Sequence, residues 1–98
     1  MDALKPEPRS PNRGTHLYPT GERYFGQIEE NKPHGYGIVD APNGDRFLGE
    51  FKKGRANGYG ILLDETGRVL FSGLWQDDKA VAEDGRPLPL AVTGGKEP

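Results

Sequence analysis

Cysteine is absent from the chain, so no disulfide framework, thiolate zinc site or cysteine nucleophile is available to it. Long apolar runs are absent as well. Stretches such as Ile61–Leu63 end after three residues, too short for a membrane-spanning helix. The opening string MDALKPEP has no basic stretch leading into an apolar one, so a secretory signal is not expected and a cytosolic, reducing setting is. Neither charge sign dominates: thirteen Lys and Arg stand against fifteen Asp and Glu, a formal net charge of −2. Nucleic-acid binding, which calls for a strongly basic surface, is therefore not expected. Only 33% of the 98 residues are hydrophobic and fifteen are glycine, too little apolar volume for a thick core.

What the chain does have is a repeated string. HGYGIVDAPNGDRFLGEF begins at His34, and NGYGILLDETGRVLFSGLW follows from Asn57. Superposing Gly35-Tyr36-Gly37-Ile38 on Gly58-Tyr59-Gly60-Ile61 gives an offset of 58 − 35 = 23, and Gly21, Gly44 and Gly67 keep that spacing. A period in the low twenties points to a stacked array of small units, none of which buries its apolar face alone.

The units read as hairpins. Tyr24–Glu29, Gly35–Asp40, Arg46–Lys52, Gly58–Asp64 and Val69–Trp75 are rich in aromatic and β-branched residues and are bounded by Gly, Asn, Asp or Pro. No segment holds apolar residues at a helical spacing for long. Pro42-Asn43-Gly44 and Glu65-Thr66-Gly67 have the composition of tight turns, in which glycine takes positive φ. Inside each unit Asn31 aligns with Gly54 and, after one inserted residue, with Asp78, three residue types that enter the left-handed region cheaply. The inserted residue predicts a β-bulge near Leu70.

The chain thus divides into a disordered tail over residues 1–12, an array over 13–82 and a Pro/Gly-rich tail over 83–98. Within the array, 13–21 is half a unit, 22–44 and 45–67 are full repeats, and 68–82 is a partial one. Leu88–Val92 is a candidate edge strand inside the last segment.

Strand alternation puts Tyr24, Gly26 and Ile28 on one side, with Phe47, Gly49, Phe51 and Phe71, Gly73, Trp75 in the following units. Glycine inside a strand weakens it unless large neighbours cover the backbone. If those rings settle over the glycines, then Tyr36, Ile38, Tyr59 and Ile61 lie on the opposite side with Phe25 and Leu48. A one-residue slip in hairpin pairing would exchange the two sides.

The segment YFGQI…NKPHGYGIVDAPNGDRFLGEFKKGRANGYGILLDETG resembles the MORN (membrane occupation and recognition nexus) repeat, whose pattern is Tyr-x-Gly-x-aromatic, a short turn, His-Gly-x-Gly and a closing Gly. The likeness spans roughly residues 13–79. It departs from the pattern at Ile28, at Asn57 and at the insertion in the third unit. What the resemblance implies is an all-β fold, an elongated, twisted, single-layer antiparallel sheet of successive β-hairpins. It also implies binding of proteins, self-association or binding of acidic phospholipid, without catalysis.

The chemistry-bearing residues agree with a non-enzymatic reading. His16 and His34 lack a metal-ligand pattern, Gly58-Tyr59-Gly60 lacks the remaining glycine of a dinucleotide fingerprint, and Asp77-Asp78 and Glu29-Glu30 sit on solvated turns. No cofactor is expected. The candidate protein-binding face is Tyr36, Tyr59, Phe25, Leu48, Ile38 and Ile61, since a thin sheet covers one face and leaves the other for a protein or peptide partner or a homodimer. Edge strands at Arg13–Tyr18 and Val69–Trp75 offer pairing with another strand. Lys52, Lys53 and Arg55 form the candidate contact to an anionic lipid surface, which would make the protein membrane-peripheral. At ~1 kcal/mol per basic residue they supply only about 3 kcal/mol.

Overall fold

The computed structural model describes residues 13–92, which form eight strands and no helix. In order they are β1 (Arg13–Leu17), β2 (Arg23–Glu29), β3 (Lys32–Asp40), β4 (Arg46–Lys52), β5 (Arg55–Leu63), β6 (Val69–Gln76), β7 (Lys79–Val81) and β8 (Pro87–Ala91). Each pairs antiparallel with the next, giving one open sheet in sequence order. Its extents of 54 × 30 × 24 Å are those of an elongated array.

Two turn chemistries alternate along it. β1 and β2, β3 and β4, β5 and β6, and β7 and β8 are joined by loops closing on Gly21, Gly44, Gly67 and Gly85, with φ between 91° and 103°. Each loop repeats the same pair of backbone bonds, as when Ala41 donates to the Asp45 carbonyl at 2.9 Å and Gly44 donates to Ala41 at 3.0 Å. The opposite ends of the hairpins close on Glu30-Asn31, Lys53-Gly54 and Asp77-Asp78, all six residues at positive φ. A two-residue turn of that handedness matches the strand twist, and the sheet accepts Glu30, Lys53 and Asp77 in a strained conformation to obtain it.

The hairpin tips are stitched to one another by matched chemistry. Gly54 donates to the Pro33 carbonyl at 2.9 Å, and one unit later Asp78 donates to the Ala56 carbonyl at 3.0 Å. Pro33 has no N–H and faces a glycine, whereas Ala56 has one and donates it to the Asp78 carboxylate at 2.8 Å. The residue at the tip thus supplies an acceptor only where the preceding strand has a donor.

Rings occupy one face. Tyr24 lies over Gly37, and Phe47 lies over Gly49 and Gly60, where an added Cβ would collide with the ring. The rings then touch edge to face in an unbroken series: Tyr24–Phe51 at 4.9 Å, Phe51–Phe47 at 5.5 Å, Phe47–Trp75 at 4.9 Å and Trp75–Phe71 at 5.7 Å between centroids. Their polar atoms are partnered within the face. The Tyr24 hydroxyl donates to the carbonyl of Gln27 (2.6 Å), with that of Tyr36 3.2 Å away, and Trp75 Nε1 donates to that of Gly60 (3.1 Å).

The structure moves two expected boundaries. Within 83–92 the candidate edge strand at Leu88–Val92 is realised as β8, so the array runs on past residue 82: Gly85 makes the same turn as the three earlier glycines, and β8 brings Leu88, Leu90 and Val92 onto the core. The signal was a fourth turn glycine, 18 residues after Gly67, masked by the shortness of β7. In consequence β6 is an interior strand, and the second edge of the sheet is β8 in place of Val69–Trp75. The expected tail over 1–12 lies outside the described residues, as does 93–98. The register shifts between Leu62 and Leu63, which pair with Phe71 and Val69, so Leu70 is the extra residue of a bulge.

Phe47→Ala should cost about 3–5 kcal/mol in urea unfolding, because it removes the central ring of the series. Gly60→Ala should cost about 1–3 kcal/mol by driving Cβ into that ring. Gly67→Ala meets open space and should show only the left-handed backbone penalty of about 1–2 kcal/mol. Burial pushes the Tyr24 phenol from 10.0 up to about 12, and Tyr18 is raised by the same cause. As pH rises the unfolded chain loses its phenolic protons first and so binds fewer than the native state. The stabilisation is complete below pH 10 and should fade between pH 10 and about 12, with a shallower slope in Tyr24→Phe.

Candidate functional site

With the rings seated on one face, the opposite face is composed of the intervening residues, and register brings them into rows. Phe25 pairs with Ile38, Ile38 with Leu48, and Leu48 with Ile61, so four apolar side chains from β2 to β5 stand side by side across the strands. Adjacent strands lie about 4.8 Å apart, which makes the row roughly 14 Å long. Thr15 on β1 and Ser72 on β6 end it. Phe25 is 54% exposed and Ile61 39%, while Ile38 and Leu48 are half-buried between them.

Tyr36 and Tyr59 stand on the same face, one step along the strands from that row. Their exposures of 67% and 65% contrast with complete burial of Tyr24. The local cause is a bulge in β3 and β5: Gly26 pairs with Gly37 but Ile28 pairs with Pro33, and Gly49 pairs with Gly60 but Phe51 with Ala56. Gly35 and Gly58, at φ of 94° and 118°, turn the strand just before each tyrosine. The amide of Tyr36 is held by the Gln27 side chain, whose Oε1 accepts it at 2.7 Å. A shallow groove of about 430 Å³ lies here, lined by Phe25, Tyr36, Ile38 and Leu48 above the glycine backbone of three strands.

Polar groups flank the row. On the side away from the tyrosines, Asp40 lies between Arg23 and Arg46 in the register, and Arg46 Nε donates to Asp40 Oδ1 at 2.6 Å. That contact holds the guanidinium above its ordinary pKa. Glu50 pairs with Tyr36 on the other side.

All six residues of the sequence-predicted face therefore share one surface, and Leu74 joins them. It pairs with Tyr59 and is 43% exposed. Sequence reasoning missed Leu74 because the equivalent positions of the earlier units, Glu50 and Gln27, are polar, so the repeat pattern marks no apolar residue there. With the offset raised from 23 to 24, Glu50 aligns with Leu74 and Leu48 with Ser72.

The basic trio lies elsewhere, at the tip joining β4 and β5. Lys52 pairs with Arg55, Lys53 is in the turn, and all three are exposed. The preceding tip carries Glu29 and Glu30, and the following one Asp77 and Asp78. His34 bridges two tips, with Nε2 3.3 Å from Glu29 Oε1 and Nδ1 accepting the Lys53 amide at 3.4 Å. It acts as a local structural bond between hairpins.

A family model described as MORN repeat matches residues 24–46 and 47–67. The two matches begin on the core rings Tyr24 and Phe47 and cover the β2–β3 and β4–β5 hairpins. A search of curated proteins finds no significant match.

Because Tyr36 and Tyr59 project from the face opposite the core, Tyr36→Ser and Tyr59→Ser should each leave stability within about 0.5 kcal/mol of the parent in thermal melts. Tyr24→Ser should unfold the array under the same conditions. Equal losses at Tyr36 and Tyr24 would mean that the exposed face carries the stability.

Proposed function

The chain is a MORN repeat protein, and from that premise we propose that it is a non-enzymatic interaction module, binding an apolar peptide or protein segment across its open sheet face. The observation that carries this reading is the row Phe25, Ile38, Leu48 and Ile61, continuous across four strands and flanked by two largely exposed tyrosines. Contiguous exposed apolar surface marks a partner site. Tyrosine in particular combines contact area with a polar tip and is enriched among the residues that dominate binding energy. Repeats of this family are associated with protein or membrane interaction.

Binding energy on such a face comes from displacing water over the apolar row, while the Arg23, Asp40, Arg46 and Glu50 side chains around it set orientation at the rim. The exposed aromatic rings are short and stiff, so little conformational entropy is lost when a partner covers them. A membrane partner has weaker support. The trio of basic residues is bracketed by acidic tips on both sides, so an anionic surface would attract one tip and repel its neighbours.

Peptide-display selection on the wild-type protein, followed by calorimetry of the selected peptides, tests the reading. Selected sequences should be apolar, and Tyr36→Ser or Tyr59→Ser should weaken their binding by about 1–3 kcal/mol each without unfolding the protein. Peptides that bind both variants as well as the parent would remove the open face as the site. Vesicles of anionic lipid should fail to sediment the protein at physiological salt. Sedimentation that disappears in Lys52→Glu with Lys53→Glu would favour the membrane instead.

A further inference from the structure

The two edges of the sheet differ in what they offer another strand. At the β1–β2 turn the Tyr18 amide donates to the Glu22 carbonyl at 2.9 Å, so the backbone groups of Tyr18 face β2. Alternation along the unshifted β1–β2 register then turns the N–H and C=O of Leu17, Thr15 and Arg13 outward, where no strand lies among the described residues. All three have an N–H to give. At the far edge the same turn geometry, with Ala82 donating to the Arg86 carbonyl at 2.8 Å, makes Pro87 the outward residue of β8. Pro89 follows two positions on, inside the register shift that separates the Val81–Pro87 and Lys79–Ala91 pairs, and neither proline has a donor. Prolines so placed close an edge against pairing, and β1 has no such guard.

Among the described residues β1 also lacks a cover that later units possess. Gly37 lies beneath the ring of Tyr24 and Gly60 beneath that of Phe47, each ring carried by the preceding strand. Gly14, 23 residues before Gly37, is met among the described residues by Ile28 from β2 and by no ring.

We propose that β1 is a dimerisation edge, pairing antiparallel with β1 of a second copy about a two-fold axis at Thr15, so that the two sheets become one. In this register Thr15 faces its own counterpart and Arg13 faces Leu17 in both directions, so every outward N–H and C=O finds a partner and no like charges are opposed. Gly14 falls opposite His16 of the second copy in a closely spaced, non-hydrogen-bonded pair, which places an imidazole beside the bare glycine as the repeat elsewhere places its rings. His16 is positioned for this by its edge-to-face contact with Tyr18, centroids 4.9 Å apart. Because Pro87 and Pro89 block the other edge, assembly closes at two copies and does not propagate into a filament.

Sedimentation equilibrium over a wide concentration range tests this on the full chain. The wild type should reach the dimer mass, and Thr15→Pro, which removes an outward amide and no ladder bond to β2, should remain a monomer with its sheet spectrum intact. Pro87→Thr combined with Pro89→Thr should produce species larger than a dimer. A wild type that stays monomeric at the highest concentration, a dimer that survives Thr15→Pro, or a double variant no larger than the wild type would each overturn the proposal. If Thr15→Pro fails to fold, amide exchange in the wild type decides. Protection of the Thr15 and Leu17 amides that rises with concentration supports the edge, and exchange equally fast at all concentrations overturns it.

Discussion

The seating of an aromatic ring on the bare glycine backbone of the adjoining strand is the contact on which the rest of this molecule depends. A single sheet has no second layer to bury its rings against, so the rings must lie down on the sheet itself. Glycines at 37, 49 and 60 make the hollows, and Tyr24 and Phe47 fill them. Each ring then presents its edge to the next, and five rings from Tyr24 to Phe71 form a continuous core one side chain thick. The same contact explains where the array weakens. In the third unit Phe71 reaches only Gly73, because the following strand has Val81 and Ala82 in place of a glycine pair, and Phe71 is left half-buried.

Putting every core ring on one side has a consequence for the other. Strand alternation forces the residues between them to face away, and these are apolar in four adjacent strands. An ordinary antiparallel sheet would carry polar side chains there. The open face is therefore expensive to leave in water, and a partner that covers it gains what the missing layer would have provided.

The ends of the hairpins carry a separate logic of backbone accounting. Tips are joined by one carbonyl bond per unit, with proline opposite glycine in one unit and an alanine amide opposite an aspartate in the next. The lateral edges follow the same rule, since a strand is closed or open according to whether its outward positions have an N–H. Exposed prolines on β8 and plain outward amides on β1 make the two edges chemically different.

Much of this was legible in the order of residues. The 23-residue offset, the turn glycines and the large-Gly-large pattern specify hairpins, their number through the second repeat and that Tyr24 and Phe47 each share a side with the glycine two residues on, because turn conformation and side-chain alternation are local properties of the chain. The family resemblance rested on those same positions. What local pattern could not decide was pairing. Only the assembled sheet aligns Phe25, Ile38, Leu48 and Ile61 into a row, brings Leu74 beside Tyr59 across the Leu70 bulge, and makes β8 instead of β6 the outer strand. Register and edge identity depend on which strands meet through space, and a chain encodes that only through contacts between residues far apart in its order.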